Sequence, residues 1–470
     1  MEKHEIKKIC CIGAGYVGGP TMAVFAEYCP DIQIIVADIN ELRINSWNNK
    51  DTSKLPIFEP GLEEIIIRRR NKNLFFSSNI EDAIGNADMI FISVNTPTKT
   101  KGIGAGKASD LKWVEASARQ IAKFAKSNTI VVEKSTLPVK TAETIKNILS
   151  RSQENDFKTE KKIFSVLSNP EFLSEGNAIK DLENPDRVLI GGDDIRAINL
   201  LSEIYLNWVP NHKIIKTNLW SSELSKLSAN AFLAQRISSI NSISALCEET
   251  GADINQVKNA VGMDTRIGQE FLNPGPGFGG SCFQKDILNL VYLCEYYKLD
   301  AVADYWQGVV DINNWQKSRI SKLIIDYLFG NVAGKKITIL GFAFKSNTND
   351  TRQSPSIQIC KDLLLEGAEI AIYDPKVEEY KMVNDLKSVS YEVEAKWKRK
   401  DSIEEASKDS DAIVVLTEWK EFYNINWDFL YTIMRKPSWV FDTRSCIDNE
   451  KAKKAGFNVW ILGNSKNNYS

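Results

Sequence analysis

A short apolar run, Ile6–Ile12, leads straight into Gly13-Ala14-Gly15-Tyr16-Val17-Gly18 and then an apolar stretch from about Gly19 to Tyr28. A second run, Ile32–Ala37, follows and ends on Asp38, twenty residues after Gly18. Strand, G-x-G-x-x-G, helix, strand, acid is a pattern that few architectures accommodate. Gly13 makes the tight turn, Gly15 lets the backbone approach a pyrophosphate, and Gly18 lets the helix pack close to the strand. The helix N-terminus, with Tyr16 and Val17 in its approach, then faces the phosphates. Asp38 can accept from a ribose 2′-OH and repels a 2′-phosphate, so the pattern predicts a dinucleotide site that takes NAD rather than NADP. Arg43 is placed to flank the adenosine, although a solvated helix residue accounts for it nearly as well.

The alternation of strands and helices continues. Ala87–Val94 reads as a strand that ends on Ser93 and Val94 and breaks at Asn95-Thr96-Pro97-Thr98. Thr129–Glu133 is another, followed by Lys134-Ser135-Thr136. Loops at the C-terminal ends of parallel strands are where open α/β sheets bind ligands. Lys101–Gly106, with three glycines, reads as a mobile loop. Ile163–Leu167 is a further strand running into Ser168-Asn169-Pro170-Glu171-Phe172-Leu173-Ser174-Glu175. Glu171 and Glu175 are spaced i,i+4, so one helical turn would set both on one face, where paired carboxyls can take different protonation states. Solvated glutamates on a surface helix are the ordinary account. Their place after a strand end, beside the expected cofactor, favours function.

Trp220–Met263 and Ala301–Phe329 have helical periodicity, and Lys226 and Asn230 fall one turn apart on the first. The strand rhythm then restarts with Lys335–Gly341, Ala368–Asp374, Asp411–Leu416 and Ser438–Asp442. Its first turn, Gly341-Phe342-Ala343-Phe344-Lys345, lacks the dinucleotide glycines, so this sheet is expected to bind a different nucleotide with Lys345 near a phosphate. The expected architecture is α/β: two Rossmann-like doubly wound domains joined by a long central helix and a helical middle domain. The boundaries are 1–215 for NAD binding, 216–330 for the helical linker and dimerisation, and 331–470 for the second sheet.

Cys282 lies in Gly277-Phe278-Gly279-Gly280-Ser281-Cys282-Phe283-Gln284-Lys285-Asp286. A cysteine after glycines is as a rule a packing residue. At a helix N-terminus beside a cation, however, a thiol tends toward the nucleophilic thiolate. Composition narrows the chemistry further. With two histidines, His4 and His212, acid–base work falls to carboxylates, lysine, threonine or water. Eight scattered cysteines form no C-x-x-C pair, which leaves zinc unsupported, argues against a disulfide scaffold and places the chain in a reducing, cytoplasmic setting. A net charge of −2 offers no basic field for nucleic acid. No apolar leader and no run long enough to span a membrane is visible. His4 falls in an N-terminal stretch expected to fray, and the polar tail from Gly463 is expected to be disordered.

The chain resembles the animal-type UDP-glucose 6-dehydrogenases of the UDP-glucose/GDP-mannose dehydrogenase family over nearly its whole length. The resemblance rests on Gly13–Gly18, Ser93–Thr98, Glu133–Thr136, Ser168–Leu173, Asn230–Arg236, Gly277–Asp286 and Gly341–Lys345. It implies oxidation of UDP-glucose to UDP-glucuronate with two NAD, through a thiohemiacetal and a thioester on Cys282. It further implies that Lys226 and Asp286 support a water and a developing oxyanion, that Asn230 holds substrate, and that Glu171 serves thioester hydrolysis. Thr136 is implied to contact the site water, in a loop that is a regulatory switch in animal members. Ser93–Pro97, Ser135, Thr136, Glu175 and Arg352 are implied to lie on the cofactor side. Phe172, Leu173, Glu175, Phe278, Gly279, Phe344, Lys345 and Arg444 are implied sugar-nucleotide contacts. Arg266 is implied to reach a neighbour's sugar site, within an obligate dimer and a hexamer built from dimers. Asn273-Pro274-Gly275-Pro276 departs from the family's Lys-Ala-Ser-Val and stiffens that approach. The alternatives are another nucleotide-sugar dehydrogenase, acting on GDP-mannose or a UDP-N-acetylhexosamine, and a non-catalytic nucleotide-sugar-binding regulator.

Overall fold

The computed structural model describes residues 5–136, 138–152, 162–392 and 396–464. His4 and the tail beyond residue 464 lie outside them. The chain forms two compact units, Met1–Ala229 and Asn230–Ser470.

The first unit holds an eight-stranded sheet. In chain order its strands are β1 (Lys8–Ile12), β2 (Gln33–Ala37), β3 (Leu74–Ser77), β4 (Met89–Ile92), β5 (Thr129–Glu133), β6 (Phe164–Ser168), β7 (Val188–Gly192) and β8 (Ile214–Thr217). They lie side by side as β3-β2-β1-β4-β5-β6-β7-β8. Every pair is parallel except β6 with β7. Side chains alternate across the strands. Ile9, Cys11, Met89 and Phe91 enter one core, and Cys10, Ile12, Ile90 and Ile92 enter another. A parallel sheet covered on both faces requires such unbroken apolar runs.

The second unit repeats the plan with six parallel strands, β9 (Lys336–Leu340), β10 (Glu369–Tyr373), β11 (Trp397–Arg399), β12 (Ala412–Val415), β13 (Trp439–Asp442) and β14 (Asn458–Ile461). Their order is β11-β10-β9-β12-β13-β14. The register of both sheets is pinned in the same way. Asp88, just before β4, takes the amides of Lys7 and Lys8 on its Oδ2, each at 2.9 Å. Asp411, just before β12, takes the amide of Lys336 at 2.8 Å.

The long helix runs from Leu219 to Thr250, and Gly251, at φ +84°, ends it. The expected helix over 220–263 is therefore two. Asp253 caps the second, Ile254–Gly262, by accepting from the amides of Asn255 and Gln256. Ala231 and Ala234 of the long helix pack with Phe278, Ile287 and Val291 in a small core of the second unit. Lys101–Gly106, expected to be a mobile loop, forms a turn closed by backbone hydrogen bonds. Gly102, Gly104 and Gly106 all have positive φ, and Lys99 pairs with Gly106 and Ala108.

Candidate active site

Gly13 ends β1 at φ +110°, and a Cβ there would stand 2.2 Å from the Ser93 carbonyl oxygen. A Cβ on Gly18 would stand 2.0 Å from the Gly13 carbonyl oxygen. Protein packing therefore demands glycine at both positions. Gly15 is different: a Cβ there would meet nothing within 4 Å. Its lack of a side chain keeps the backbone open to something other than protein. Ser93 is also buried, and its Oγ has no hydrogen-bond partner. The helix Gly18–Tyr28 starts directly behind the turn. Asp38 accepts from the Ala14 amide at 2.9 Å on Oδ2 and from the Asn40 amide at 2.9 Å on Oδ1. Arg43 donates to the same Oδ2 at 3.0 Å and so belongs to the acid rather than standing apart from it. An open glycine, an orphaned hydroxyl and a helix N-terminus fit a dinucleotide pyrophosphate, with Asp38 at the ribose end.

The next two loops are tied together behind this turn. Ser135 Oγ donates to the Val94 carbonyl at 2.8 Å, and Thr96 Oγ1 donates to the Thr136 carbonyl at 3.1 Å. These bonds order the segment from Ser93 through Asn95 to Pro97 against the start of the Thr136 loop.

Glu171 and Glu175 do not share a helical turn. Residues 169–174 have no regular secondary structure, and the next helix is Ala178–Glu183. Pro170 pushes Asn169 toward extended backbone, and carboxylates take the amides that helical carbonyls would have taken. Glu171 Oε1 accepts from the amides of Phe172 and Leu173 at 2.8 and 3.2 Å. Asp181 takes the amide of Ser174, and Glu59 takes that of Gly176. Glu171 Oε2 lies 2.9 Å from Lys134 Nζ, a lysine 3% exposed at the end of β5. Two cations lie over the Phe172 ring, Arg187 at 3.8 Å and Lys226 at 5.1 Å from its centre. Burial pushes the Glu171 carboxyl up, but Lys134, those backbone amides and the charge of Lys226 together outweigh it and leave the group below its ordinary range. Burial pushes Lys134 down, yet Glu171 and then Tyr205 overcome it and raise the lysine to about 12.

In the second unit the glycine turn is clamped from behind. Asn313 accepts from the Phe278 amide at 2.7 Å and donates to its carbonyl at 3.2 Å, as a paired strand would. Gln316 donates to the Gly275 carbonyl, and Asn241 accepts from the Gly275 amide, both at 2.9 Å. Pro274 and Pro276 are buried within this clamp. Gly280, at φ +89°, donates its amide to the Arg352 carbonyl at 2.7 Å. A Cβ on Gly279 would stand 2.6 Å from the Gln353 carbonyl oxygen.

Cys282 then stands at the N-cap of the helix Phe283–Tyr296, partly exposed, with its Sγ 3.2 Å from Ser281 Oγ. One turn on, Asp286 is 1% exposed, accepts from Asn230 Nδ2 at 2.6 Å and pairs with Lys285 at 3.1 Å. Arg444 donates to the carbonyls of Leu416 and Phe344, and Lys345 lies over the Phe344 ring. Arg352 closes on Asp350, and Arg266, 86% exposed, closes on Asp264.

The expected residues thus gather in two groups. Glu171, Phe172, Lys226 and the dinucleotide turn belong to the first unit, and Cys282, Asp286, Asn230, Phe278 and Arg444 to the second. The long helix carries Lys226 and Asn230 one turn apart. Lys134, Tyr205 and the clamping amides Asn241, Asn313 and Gln316 were not singled out in the sequence. A charged residue straight after the buried run Ile130–Glu133 was the one available signal for Lys134.

Residues 7–209 match the NAD-binding domain of the UDP-glucose/GDP-mannose dehydrogenase family, 220–315 its central domain and 338–449 its UDP-binding domain. The chain belongs to the UDP-glucose/GDP-mannose dehydrogenase family. A UDP-glucose 6-dehydrogenase of Caenorhabditis elegans is 55% identical over 98% of this chain and 96% of its own. One from Drosophila melanogaster is 54% identical over 97% of this chain and 96% of its own. A UDP-glucose dehydrogenase structure from Pyrobaculum islandicum, 28% identical, superposes with a TM-score of 0.81 over 97% of this chain and all of that one. As a member of the UDP-glucose/GDP-mannose dehydrogenase family the chain is an NAD-dependent oxidoreductase with a UDP-binding domain. Among the described residues no helix is long and apolar enough to cross a membrane, and no three acidic, histidine or cysteine side chains are grouped to hold a metal.

Proposed function

We propose that this protein oxidises UDP-glucose twice at C6 to give UDP-glucuronate, using Cys282 as a covalent handle. The observation that carries the reading is the setting of Cys282. It is partly exposed at a helix N-terminus, on a turn that four glycines and a buried amide clamp hold in place, one turn above the Asn230–Asp286 pair.

Removal of a hydride and the hydroxyl proton turns the C6 alcohol into an aldehyde. The Cys282 thiolate adds to that aldehyde, and a proton on the new alkoxide completes a thiohemiacetal. Loss of a second hydride leaves a thioester. Water attacks it, the C–S bond breaks, and the carboxylate and free thiol result. NAD, held at Gly13–Gly18 with Asp38 at its ribose, supplies the hydride acceptor for each oxidation. Lys226 stabilises the oxyanions, Asp286 holds a water, and Asn230 fixes the Asp286 carboxylate. Glu171, kept ionised, takes the proton of the attacking water. Phe344, Lys345 and Arg444 bind the UDP part, and Lys226 and Phe172 contact the sugar. Self-association fits the exposure of Arg266 and of Phe232, at 58%, and Leu246, at 58%, on the long helix.

The test is stoichiometric. Limiting UDP-glucose with excess NAD should yield two NADH per sugar, while GDP-mannose and UDP-N-acetylhexosamines yield none. Cys282→Ser should stop after the first oxidation or at an unhydrolysed ester. Full turnover in that variant, or one NADH per sugar in the parent, overturns the covalent route.

A further inference from the structure

Lys134 is the most completely enclosed cation in the first unit's loop cluster, and the reaction scheme leaves it without a task. Its ammonium meets three oxygens: Glu171 Oε2 at 2.9 Å, Asn169 Oδ1 at 3.1 Å and Tyr205 Oη at 3.2 Å. Tyr205 in turn donates to Asn169 Oδ1 at 2.7 Å, and Asn169 Nδ2 donates to the Leu189 carbonyl at 2.8 Å. Each partner is fixed by another, so the ammonium is held in place and is not free to swing to solvent. Packing enforces the same geometry. Tyr205 sits edge-on to Phe25, and both residues belong to the first unit's larger core.

From this arrangement we infer that Lys134 is the positioning residue that keeps Glu171 a carboxylate, and so a base, throughout the reaction. The inference rests on the proposed role of Glu171 in hydrolysing the thioester. A carboxyl in so enclosed a place keeps its proton unless a charge opposes it. A protonated Glu171 cannot accept the proton of an attacking water. The charged and titratable groups facing Glu171 are Lys134 from the end of β5, Lys226 from the long helix and Tyr205 from the helix Ile195–Tyr205. Thr21 Oγ1 approaches the same oxygen at 3.5 Å from the glycine helix but carries no charge. Cys11 also lies in the field of Lys134, with its thiol pushed well up by burial and therefore neutral. Lys226 is proposed to serve substrate and oxyanion, which leaves Lys134 as the cation dedicated to Glu171. The division also explains why the lysine is buried, since a solvated ammonium would be screened to little effect.

The test is the pH profile of kcat for NADH formation from UDP-glucose in the full-length protein. In Lys134→Met the ratio of rates at pH 6 and pH 9 should fall at least about tenfold from the parent's ratio, with KM for UDP-glucose unchanged. Tyr205→Phe, a milder change that keeps the ring packing, should move the ratio the same way by a smaller factor. It carries the test if Lys134→Met does not fold. In a Glu171→Gln background, Lys134→Met should leave the residual rate and its pH profile unmoved, because the amide does not titrate. If Glu171→Gln alone turns over at the parental rate, the role of Glu171 falls. If Glu171→Gln stalls at the thioester while both Lys134→Met and Tyr205→Phe keep the parental profile, the role of Lys134 falls and that of Glu171 stands.

Discussion

Gly13 and Gly341 end the first strands of their sheets at φ +110° and +93°, and each lies against a residue within two positions of the fourth strand's end. A Cβ on Gly13 would strike Ser93, and one on Gly341 would come within 2.4 Å of Thr417 Cβ. The second strands end alike as well, on Asp38 and Asp374. Beyond that the two sheets part. After Gly13 the chain stays glycine-rich and the helix begins at Gly18. After Gly341 it fills the turn with buried Phe342 and Ala343, and the helix does not begin until Pro355. Asp374 is fully buried and accepts from the amides of Phe342, Ala343, Lys376 and Val377 and from the Trp419 indole. Asp38 takes two amides and the half-exposed Arg43, and Ser93 beside it keeps an unpartnered hydroxyl. One acid is a structural clamp, and the other stands beside the turn proposed to hold NAD. Shared topology thus sets where a loop lies, while the side chains in that loop decide whether it serves a ligand or the fold.

The largest test of this contrast is Gly18→Ala. Its methyl has no room beside the Gly13 carbonyl, so the first unit should lose more than about 3 kcal/mol and most NAD binding with it, read by thermal melting and fluorescence titration. Next comes the acid pair. Asp374→Ala strands four buried donors and the Lys376 amide and should cost about 3 kcal/mol or more, with NAD affinity unchanged in whatever folds. Asp38→Ala should weaken NAD by about tenfold or more, a loss of one charge-assisted hydrogen bond, with a much smaller change in Tm. An equal NAD defect in both variants would erase the distinction between clamp and ligand edge. Gly15→Ala is smaller still in structural terms. Its Cβ meets no protein atom and its φ is not positive, so Tm should stay within about 2 °C while NAD affinity falls about tenfold.

Much of this was legible beforehand because it is local. The glycine spacing, the acids that close β2 and β10, and the apolar runs of the strands all lie within stretches of a few residues. Cys282 at the start of its helix followed from the glycines before it and the apolar periodicity after it. Long-range pairings were not legible. Lys134 and Tyr205 are 71 residues apart, and Asn313 reaches back 35 residues to Phe278. Nothing in the composition around either residue marks its partner. The helical turn expected at Glu171 and Glu175 is absent for a local reason. Pro170 disfavours helix at Asn169, and the carboxylates of Asp181 and Glu59 take the amides of Ser174 and Gly176 instead.

The fifth strands supply the finest comparison, since β5 and β13 occupy the same place in the two orders and each ends on a buried acid. Burial pushes both carboxyls up, and at Glu133 the neighbouring Glu223 pushes further. Their surroundings differ. Glu223 spends its oxygens on the amides of Lys140 and Ala142, at the head of the helix behind the Thr136 loop, so Glu133 must hold a proton to sit beside it. Asp442 instead receives the amides of Arg444 and Cys446 and the side chain of Asn449. A carboxyl whose folded pKa lies above its unfolded value stabilises the fold fully below that unfolded value, 4.5 for a glutamate. The contribution is lost as pH rises from there toward the folded pKa. Gln is the uncharged equivalent of a protonated Glu133. Glu133→Gln should therefore melt near the parent at pH 5, above it at pH 8 to 9, and with a flatter dependence of Tm on pH. Asp442→Asn should flatten the dependence too, but it sets an amide nitrogen against the Asn449 donor and should cost about 1 kcal/mol at every pH. A parental pH slope in Glu133→Gln would mean that the two glutamates do not share a proton, and the fifth strands would then differ less than their neighbours suggest.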